Sequence, residues 1–234
     1  MIPVSVIIPV YNEVSTIKLV IDAVSSRALE GTYITEIIII DDASTDGTAE
    51  VLKNYNDPLL KIILKENNGG KGSCIRLGLD EAKGDIIIIQ DADLEYDPKD
   101  YQVLLNPILI AEADVVYGSR FKDKPFFSTG PLVWEMANRF LTLISNLCTG
   151  LRLSDMETCY KVLHRKAINL CRGRLVSNRF AIEPELTARL SRGGMRIVEV
   201  PISYNGRSHE EGKKIGWRDG LAAIGAIIRF IFIR

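Results

Sequence analysis

The stretch GDIIIIQDADLEYDP, residues 84–98, joins four consecutive isoleucines to a cluster of acidic side chains. A short apolar run that ends in a polar turn is typical of a β-strand buried on both faces. Ligands of open α/β sheets bind beyond the carboxyl ends of such strands. The stretch therefore predicts a central strand with a ligand site at its end.

Similar apolar runs alternate with helical segments over the first 120 residues. We expect strands at residues 4–10, 34–42, 59–65, 85–91 and 113–119. Helices are expected at about residues 14–29, 45–55, 70–82 and 98–112. This alternation predicts right-handed βαβ units, and hence an α/β fold with a mostly parallel central sheet flanked by helices.

The sequence pattern changes after residue 130. A long amphipathic helix ends at Gly150, a further helix runs through residues 183–194, and a strand is expected at residues 195–204. No linker rich in Pro, Gly or Ser interrupts the chain, and there is no internal repeat. The sequence therefore predicts a single domain over residues 1–234.

Composition is that of a globular protein, with 47% hydrophobic and 25% charged residues. The four cysteines form no CxxC pair, so we expect reduced thiols in a cytoplasmic protein. The N-terminal segment lacks the basic region of a signal peptide and is expected to be the first strand. The apolar segment 220–234 contains Arg229 and is too short for a membrane span, so it is expected to lie on a membrane or pack on a partner.

Charge is distributed unevenly along the chain, although the net charge is only −1. Residues 1–100 carry 9 basic and 18 acidic side chains, and residues 161–234 carry 15 basic and 6 acidic ones. The basic C-terminal part suits an anionic partner. Nucleic acid is not expected, because the chain has no nucleic-acid-binding motif.

The Asp91-Ala92-Asp93 unit directly follows the isoleucine strand. Carboxylates two residues apart in a loop can turn toward one hard cation, with phosphate oxygens of a substrate completing its octahedron. Glu95 is expected to add a third ligand. These residues predict Mg²⁺ or Mn²⁺ bound together with a diphosphate, because the metal would neutralise the leaving group.

Two other nucleotide-binding classes are excluded by spacing. The segment NNGGKGSCIRLG, residues 67–78, has four glycines, but they do not form the G-x-G-x-x-G motif of dinucleotide-binding folds. Lys71 is followed by Gly72 rather than by Ser or Thr, so the segment is not a P-loop either.

Several motifs together resemble the family 2 glycosyltransferases, which are inverting enzymes of the type A nucleotide-diphospho-sugar fold. These motifs are VSVIIPVYNE, IIIIDDASTDGT, NNGGKG and QDADLEYDP. The later segments VVYGSRF, SDMETCYKVLHR, RFAIEPELTARL and VPISYNGRSHEEGKKIGW resemble the branch that glycosylates a polyprenyl phosphate, the dolichyl-phosphate mannose synthase type. The resemblance extends from Val4 to about Gly220.

On the donor side, the resemblance implies a role for five residues outside the acidic cluster. Pro9, Tyr11 and Glu13 would line the nucleotide pocket. Asp42 would contact the base or the ribose, and Lys71 would approach the donor.

Within the acidic cluster, the resemblance assigns Asp91 and Asp93 to the metal on the donor diphosphate. Ala92 lies between them in the donor site, and Glu95 stands where related enzymes have Gln or Glu.

On the acceptor side, Arg120 would bind phosphate and Asp155 would lie at the acceptor side of the sugar. Arg207, Lys213 and Lys214 would belong to a mobile loop that closes on phosphates.

Simpler roles remain open for several of these residues. Arg120 could pair with Asp114 or Asp123 at the surface, Lys213 and Lys214 could be solvated, and Asp155 could cap a following helix. Glu183 and Glu185 near a helix start could serve the helix dipole rather than the site. The apolar residues of the long helix are expected in the core; they are Phe140, Leu143, Ile144 and Leu147.

The resemblance implies transfer of a sugar from GDP-mannose or a UDP-hexose to a polyprenyl or dolichyl phosphate, as a lipid-linked donor for cell-envelope glycans. An anionic phosphate acceptor needs no strong base, whereas a hydroxyl acceptor would require a carboxylate, for which Asp155 is the candidate. The alternatives are a family 2 enzyme acting on a glycan hydroxyl and a non-catalytic nucleotide-sugar-binding module.

The expected organisation follows from the same resemblance. Residues 1–120 would bind the nucleotide sugar, residues 121–219 would form the acceptor side, and residues 220–234 would form a membrane-surface or packing helix. The protein would act at the cytoplasmic face of a membrane, with a membrane-protein partner or as a homo-oligomer.

Overall fold

A seven-stranded sheet forms the centre of the protein. The computed structural model describes residues 1–125, 132–207 and 217–232. The strands are β1 (Ile2–Val10), β2 (Thr32–Asp41), β3 (Leu60–Leu64), β4 (Ile86–Ile89), β5 (Val115–Ser119), β6 (Lys161–His164) and β7 (Ile197–Pro201). Their order across the sheet is β3-β2-β1-β4-β6-β5-β7.

Eight helices, as far as the described residues show, pack around this sheet. They are α1 (Ile17–Ser25), α2 (Thr48–Lys53), α3 (Lys71–Glu81), α4 (Tyr101–Leu109), α5 (Leu132–Thr149), α6 (Arg165–Cys171), α7 (Ile182–Arg192) and α8 (Trp217–Phe232). A short 3₁₀ turn, Pro98–Asp100, leads into α4. The helices expected from the sequence are present, with shorter ends.

The expected mostly parallel sheet is confirmed. Strands β1, β2, β3 and β4 are mutually parallel neighbours, and β5 is parallel to β7. The isoleucine runs 37–40 and 86–89 are completely buried, as strands covered on both faces require. The periodicity of these two segments was therefore sufficient to locate the centre of the sheet.

Strand β6 is absent from the strands expected from the sequence. It is antiparallel to both neighbours, pairing Ile87 with Leu163 on one side and Val116 with Val162 on the other. Its four residues include only two that are apolar, Val162 and Leu163. This short segment forms a strand because it hydrogen-bonds to β4 on one side and to β5 on the other. Both partners are distant in the sequence, so no local pattern marks the strand.

The polar ends of β1, β2 and β4 meet at one edge of the sheet. Strand β1 lies between β2 and β4, with Val10 opposite Asp41 and Ile7 opposite Ile89. The loops that follow these strands therefore lie side by side. They form the edge beyond which ligands of open α/β sheets bind.

Helix α5 is only partly covered by its neighbours α7 and α8. Phe140 and Leu143 are each 54% exposed and Leu147 is 78% exposed, whereas Ile144 packs against the core. The expectation that all four residues lie in the core is wrong for three of them. An amphipathic pattern shows which residues share a helix face, but not whether another element covers that face.

Candidate active site

Asp42 organises the loop that precedes α3. Its Oδ1 accepts a hydrogen bond from Gly69 N at 2.9 Å, its Oδ2 accepts one from Gly70 N at 2.6 Å, and Lys65 Nζ also donates to it. Gly70 has a φ of +87°, a conformation that strains other residues. Asp42 is only 2% exposed, so its contacts in this structure fix the glycine turn.

Lys71 begins α3 and reaches the acidic cluster. Its Nζ lies 2.9 Å from Asp91 Oδ1 and 3.4 Å from Glu183 Oε1. Burial lowers the pKa of Lys71, but the charges of Asp91 and Glu183 and the hydrogen bond to Asp91 outweigh this and keep the pKa well above its usual value. Lys71 therefore stays protonated.

Gly72 allows α3 to approach the segment 177–179 closely. A Cβ on this residue would lie 2.5 Å from Ser177 O and 2.9 Å from Arg179 O. Both are backbone atoms, which cannot move aside without shifting the chain. The glycine is needed for the packing that places Lys71 at the end of β4.

Arg207 joins two of the predicted donor-site carboxylates. Its guanidinium contacts both oxygens of Glu13 at 3.1 Å, and its Nη2 donates to Asp93 Oδ2 at 3.0 Å. Burial, together with the charges of Asp91 and Glu95, raises the pKa of Asp93 to about 7. The carboxylate of Asp93 is therefore close to other negative charges, which disfavour its ionised form.

Glu95 holds the segment that leads to Arg207. Its Oε1 accepts from Arg207 N at 2.8 Å and its Oε2 accepts from the hydroxyl of Tyr204 at 2.8 Å. Its carbonyl oxygen accepts from Asn205 N at 2.9 Å. Both carboxylate oxygens are thus occupied by the segment 204–207.

Arg120 and Asp155 form a buried ion pair. Arg120 Nε and Nη2 each lie 2.7 Å from an oxygen of Asp155, and Arg120 N donates to Asp155 Oδ2 at 3.0 Å. The rings of Trp134 and Tyr204 lie 4.8 and 5.3 Å from the guanidinium carbon. This geometry fixes the orientation of Arg120.

The simpler roles considered for these two residues are wrong. Asp114 pairs with Arg196 rather than with Arg120, and Arg120 is only 4% exposed rather than on the surface. Asp155 is followed by turns and by β6, so it does not cap a helix.

A buried network connects the donor side to the centre of the site. Lys161 is fully buried, lies 2.5 Å from Glu183, and donates to the carbonyl oxygens of Met156 and Thr158. Glu183 therefore links Lys161 to Lys71, a role that its position near a helix start left open. Glu185 instead accepts from Val176 N and Ser177 N and has a structural role.

Lys161 was not among the residues expected at the site. It lies in the segment SDMETCYKVLHR, which carries part of the family resemblance, but no role was assigned to the lysine because β6 was not expected there.

The remaining expected residues lie around the same edge of the sheet. Pro9 and Ala92 are buried, Tyr11 is 37% exposed, and the carbonyl oxygen of Ala92 accepts from Thr16 Oγ1 at 2.7 Å. Lys213 and Lys214 lie outside the described residues.

Asp91 and Asp93 fit a hard divalent cation. Mg²⁺ usually takes one or two carboxylates and completes its shell with water and substrate phosphates. No group of three His, Cys, Asp or Glu side chains is arranged for metal binding in the part of the chain that is described. All three carboxylates make other contacts in this structure, Asp91 with Lys71, Asp93 with Arg207, and Glu95 with Tyr204 and Arg207 N, so the third ligand expected from Glu95 stays a prediction.

Comparison with protein families gives a match that covers most of the chain. The family described as glycosyl transferase family 2 matches residues 5–170. An uncharacterized protein of Methanocaldococcus jannaschii is 30% identical over 84% of this chain and 79% of its own length.

Two relatives whose names state an activity are nearly as similar. An undecaprenyl-phosphate mannosyltransferase of Micrococcus luteus is 28% identical over 93% of this chain and 90% of its own length. A UDP-N-acetylglucosamine–dolichyl-phosphate N-acetylglucosaminyltransferase of Methanococcus voltae is 28% identical over 84% of this chain and 83% of its own length.

Solved structures share the fold at low sequence identity. Glucosyl-3-phosphoglycerate synthase from Mycobacterium tuberculosis, in complex with Mn²⁺, uridine diphosphate and phosphoglyceric acid, superposes with a TM-score of 0.74. The match covers 100% of this chain and 80% of that one at 19% identity. The same enzyme with Mg²⁺ and uridine diphosphate gives a TM-score of 0.73 at 20% identity, over 100% of this chain and 80% of that one.

Proposed function

Since this chain belongs to glycosyl transferase family 2, we propose that it transfers a sugar from a nucleoside-diphosphate sugar to the phosphate of a polyprenyl lipid. That the chain is a glycosyltransferase with the type A fold, as expected from the sequence, is confirmed. The choice of acceptor, the metal requirement and the identity of the donor are the proposal.

The state of Asp155 supports a phosphate acceptor. A hydroxyl acceptor needs a general base, and Asp155 was the candidate. In the structure Asp155 is completely buried and Arg120 bonds to both of its oxygens. A phosphate monoester is already an anion near neutral pH, so positioning by positive groups is sufficient. The names of the two relatives from Micrococcus luteus and Methanococcus voltae agree with this choice.

The donor end of the site would be formed by Asp91 and Asp93. When bound there, Mg²⁺ or Mn²⁺ would neutralise the charge that develops on the leaving diphosphate. Lys71 and Arg207 carry positive charge at the same place and can bind phosphate oxygens. Asp155 would orient Arg120 toward the acceptor phosphate.

We expect label from a radioactive nucleotide sugar to enter butanol-extractable lipid when the purified protein is supplied with a short polyprenyl phosphate. Chelation of Mg²⁺ and Mn²⁺ should reduce the rate about a thousandfold, because several kcal/mol of charge stabilisation would be lost. GDP-mannose, UDP-glucose and UDP-N-acetylglucosamine are the donors to compare.

The acceptor controls in this assay separate the candidate functions. Transfer to water-soluble glycans but not to lipid phosphate would favour the hydroxyl acceptor. Binding of a nucleotide sugar without any transfer would favour a non-catalytic module. Either result would contradict the proposal.

The exposed apolar surface of α5 supports action at a membrane. Val133, Met136, Phe140, Leu143 and Leu147 follow one another at steps of three and four residues, and each is at least 54% exposed. They therefore form one continuous strip along the helix. We call these five residues the α5 strip.

The charges of α5 and of the neighbouring helix α8 suit anionic lipid. Glu135, the acidic residue of α5, is completely buried, and Arg229 on the adjacent α8 is exposed. Apolar side chains beside basic ones are typical of helices that lie in a membrane interface. No helix among the described residues is sufficiently long and apolar to span a bilayer.

The double variant Leu143→Glu, Leu147→Glu is expected to bind anionic phospholipid vesicles at least tenfold more weakly than the wild type, since two apolar contacts become charged. Co-sedimentation with vesicles measures this. Ile110→Glu is the matched control, because Ile110 is 71% exposed but follows α4. Equal loss in both variants would contradict a specific role of the α5 strip.

A further inference from the structure

Glu157 has a carboxylate oxygen with no hydrogen-bond partner, between two residues that are themselves hydrogen-bonded. Met156 N donates to the hydroxyl of Thr142 at 3.0 Å, and the hydroxyl of Thr158 donates to Gly118 O at 2.5 Å. The Oε1 atom of Glu157 is inaccessible to solvent and makes no hydrogen bond. The residues on either side of Glu157 are thus held in place, while its Oε1 makes no hydrogen bond.

The charged groups that face Glu157 belong to both ends of the site. Arg120 and Asp155 form the acceptor-side pair, and Lys161 and Glu183 belong to the network that reaches the donor side. Glu183 continues this network to Lys71, at 3.4 Å. Glu157 follows Asp155 by two residues, and the carbonyl oxygens of its neighbours Met156 and Thr158 accept hydrogen bonds from Lys161 Nζ. Glu157 therefore belongs to the segment that joins the acceptor-side pair to the network reaching the donor side.

The transferred sugar must also lie between the donor-binding and acceptor-binding groups. The acceptor oxygen attacks the anomeric carbon while the diphosphate leaves from it, so the sugar ring stands between the two phosphate-binding ends. A sugar presents hydroxyl groups, which donate hydrogen bonds to carboxylate oxygens. An unpaired buried oxygen costs free energy, and native proteins seldom keep one without a use.

We propose that Glu157 contacts the donor sugar, its Oε1 accepting a hydrogen bond from a hydroxyl of the hexose, so that it determines which sugars bind. The inference rests on the proposed function in taking a nucleotide sugar as donor and in the assignment of the two ends. A site that hydrogen-bonds a substrate hydroxyl rejects analogues that lack it far more strongly than an apolar pocket could.

Calorimetric titration without acceptor tests this contact. The donors are UDP-glucose, UDP-N-acetylglucosamine and GDP-mannose with Mn²⁺, and UDP and GDP serve as the sugar-free references. Glu157→Leu should weaken binding of the preferred nucleotide sugar about 10- to 100-fold, the range of a hydrogen bond to a charged group. It should leave the affinity for the corresponding nucleoside diphosphate within twofold.

The isosteric variant Glu157→Gln covers the case in which Glu157→Leu fails to fold. Burial and the charge of Glu183 raise the pKa of Glu157 to about 7. If the carboxylate accepts the hydrogen bond, the affinity of the wild type for the nucleotide sugar, relative to the diphosphate, should increase as the pH rises through 7. The Glu157→Gln variant should lose this dependence.

Glu185→Gln is the control for loss of a buried glutamate, because Glu185 holds only structural contacts. It should lower the thermal midpoint and leave the ratio of the two affinities unchanged. An unchanged ratio in both Glu157 variants would overturn the contact, while transfer to lipid by the wild type would still support the proposed function.

Two further results would also overturn the contact. Variants of Glu157 that reduce kcat but keep donor affinity would indicate a general base for a hydroxyl acceptor instead. Failure of all three nucleotide sugars to bind the wild type would remove the contact together with its premise.

Discussion

Asp91→Asn is expected to reduce the rate of sugar transfer about a thousandfold without unfolding the protein. Asn keeps the size of the side chain but removes the charge that would hold the metal and that now pairs with Lys71 at 2.9 Å. Loss of one preorganised electrostatic contact commonly costs a factor of 10² to 10³, and loss of metal binding adds to it. Initial rates at saturating acceptor measure the effect.

A second measurement separates the metal from other causes. The Mn²⁺ affinity of Asp91→Asn, followed by the electron paramagnetic resonance of free Mn²⁺, should fall together with the rate. Asp97→Asn is the matched control, because Asp97 accepts from Lys99 N at the 3₁₀ turn, where Asn serves equally well, and its ion pair with Lys99 Nζ is exposed to solvent. A variant Asp91→Asn that keeps both rate and Mn²⁺ affinity would remove Asp91 from the site.

Asp155→Ala is expected to destabilise the protein by about 3–5 kcal/mol. The substitution leaves the guanidinium of Arg120 buried without its counter-ion, and this is the costly way to break such a pair. It also removes the acceptor of the hydrogen bond from Arg120 N. The free energy of unfolding in urea measures the change.

The double variant Asp155→Ala, Arg120→Met tests the cause of that loss. With both charges removed, no uncompensated charge remains buried, so the double variant should be more stable than Asp155→Ala alone. Lys99→Met, which removes a 74% exposed partner of Asp97, should leave the urea midpoint nearly unchanged. A double variant less stable than either single one would show that packing, rather than charge, dominates at this position.

The site is only partly visible in the sequence. The acidic ends of β1, β2 and β4 could be placed together because parallel strands share an edge at which their carboxyl ends meet. The contacts between individual side chains at that edge could not be predicted in the same way. The pairing of Arg207 with Glu13 joins residues 194 positions apart, and no local pattern marks such a contact. The occupation of Glu95 by Tyr204 and Arg207 N likewise depends on the return of β7 past β5.

The sequence by itself determined those helices and strands that a local residue pattern specifies. The isoleucine runs at 37–40 and 86–89 specify buried strands because each residue in them must leave water, and this requirement depends little on what covers them. Only the tertiary structure determined the features that depend on contacts between residues far apart in the sequence. It made a strand of residues 161–164, buried Lys161 against Glu183, and left the α5 strip in solvent. A helix presents its apolar faces by periodicity, but only the packing of α7 and α8 determines which of them is covered.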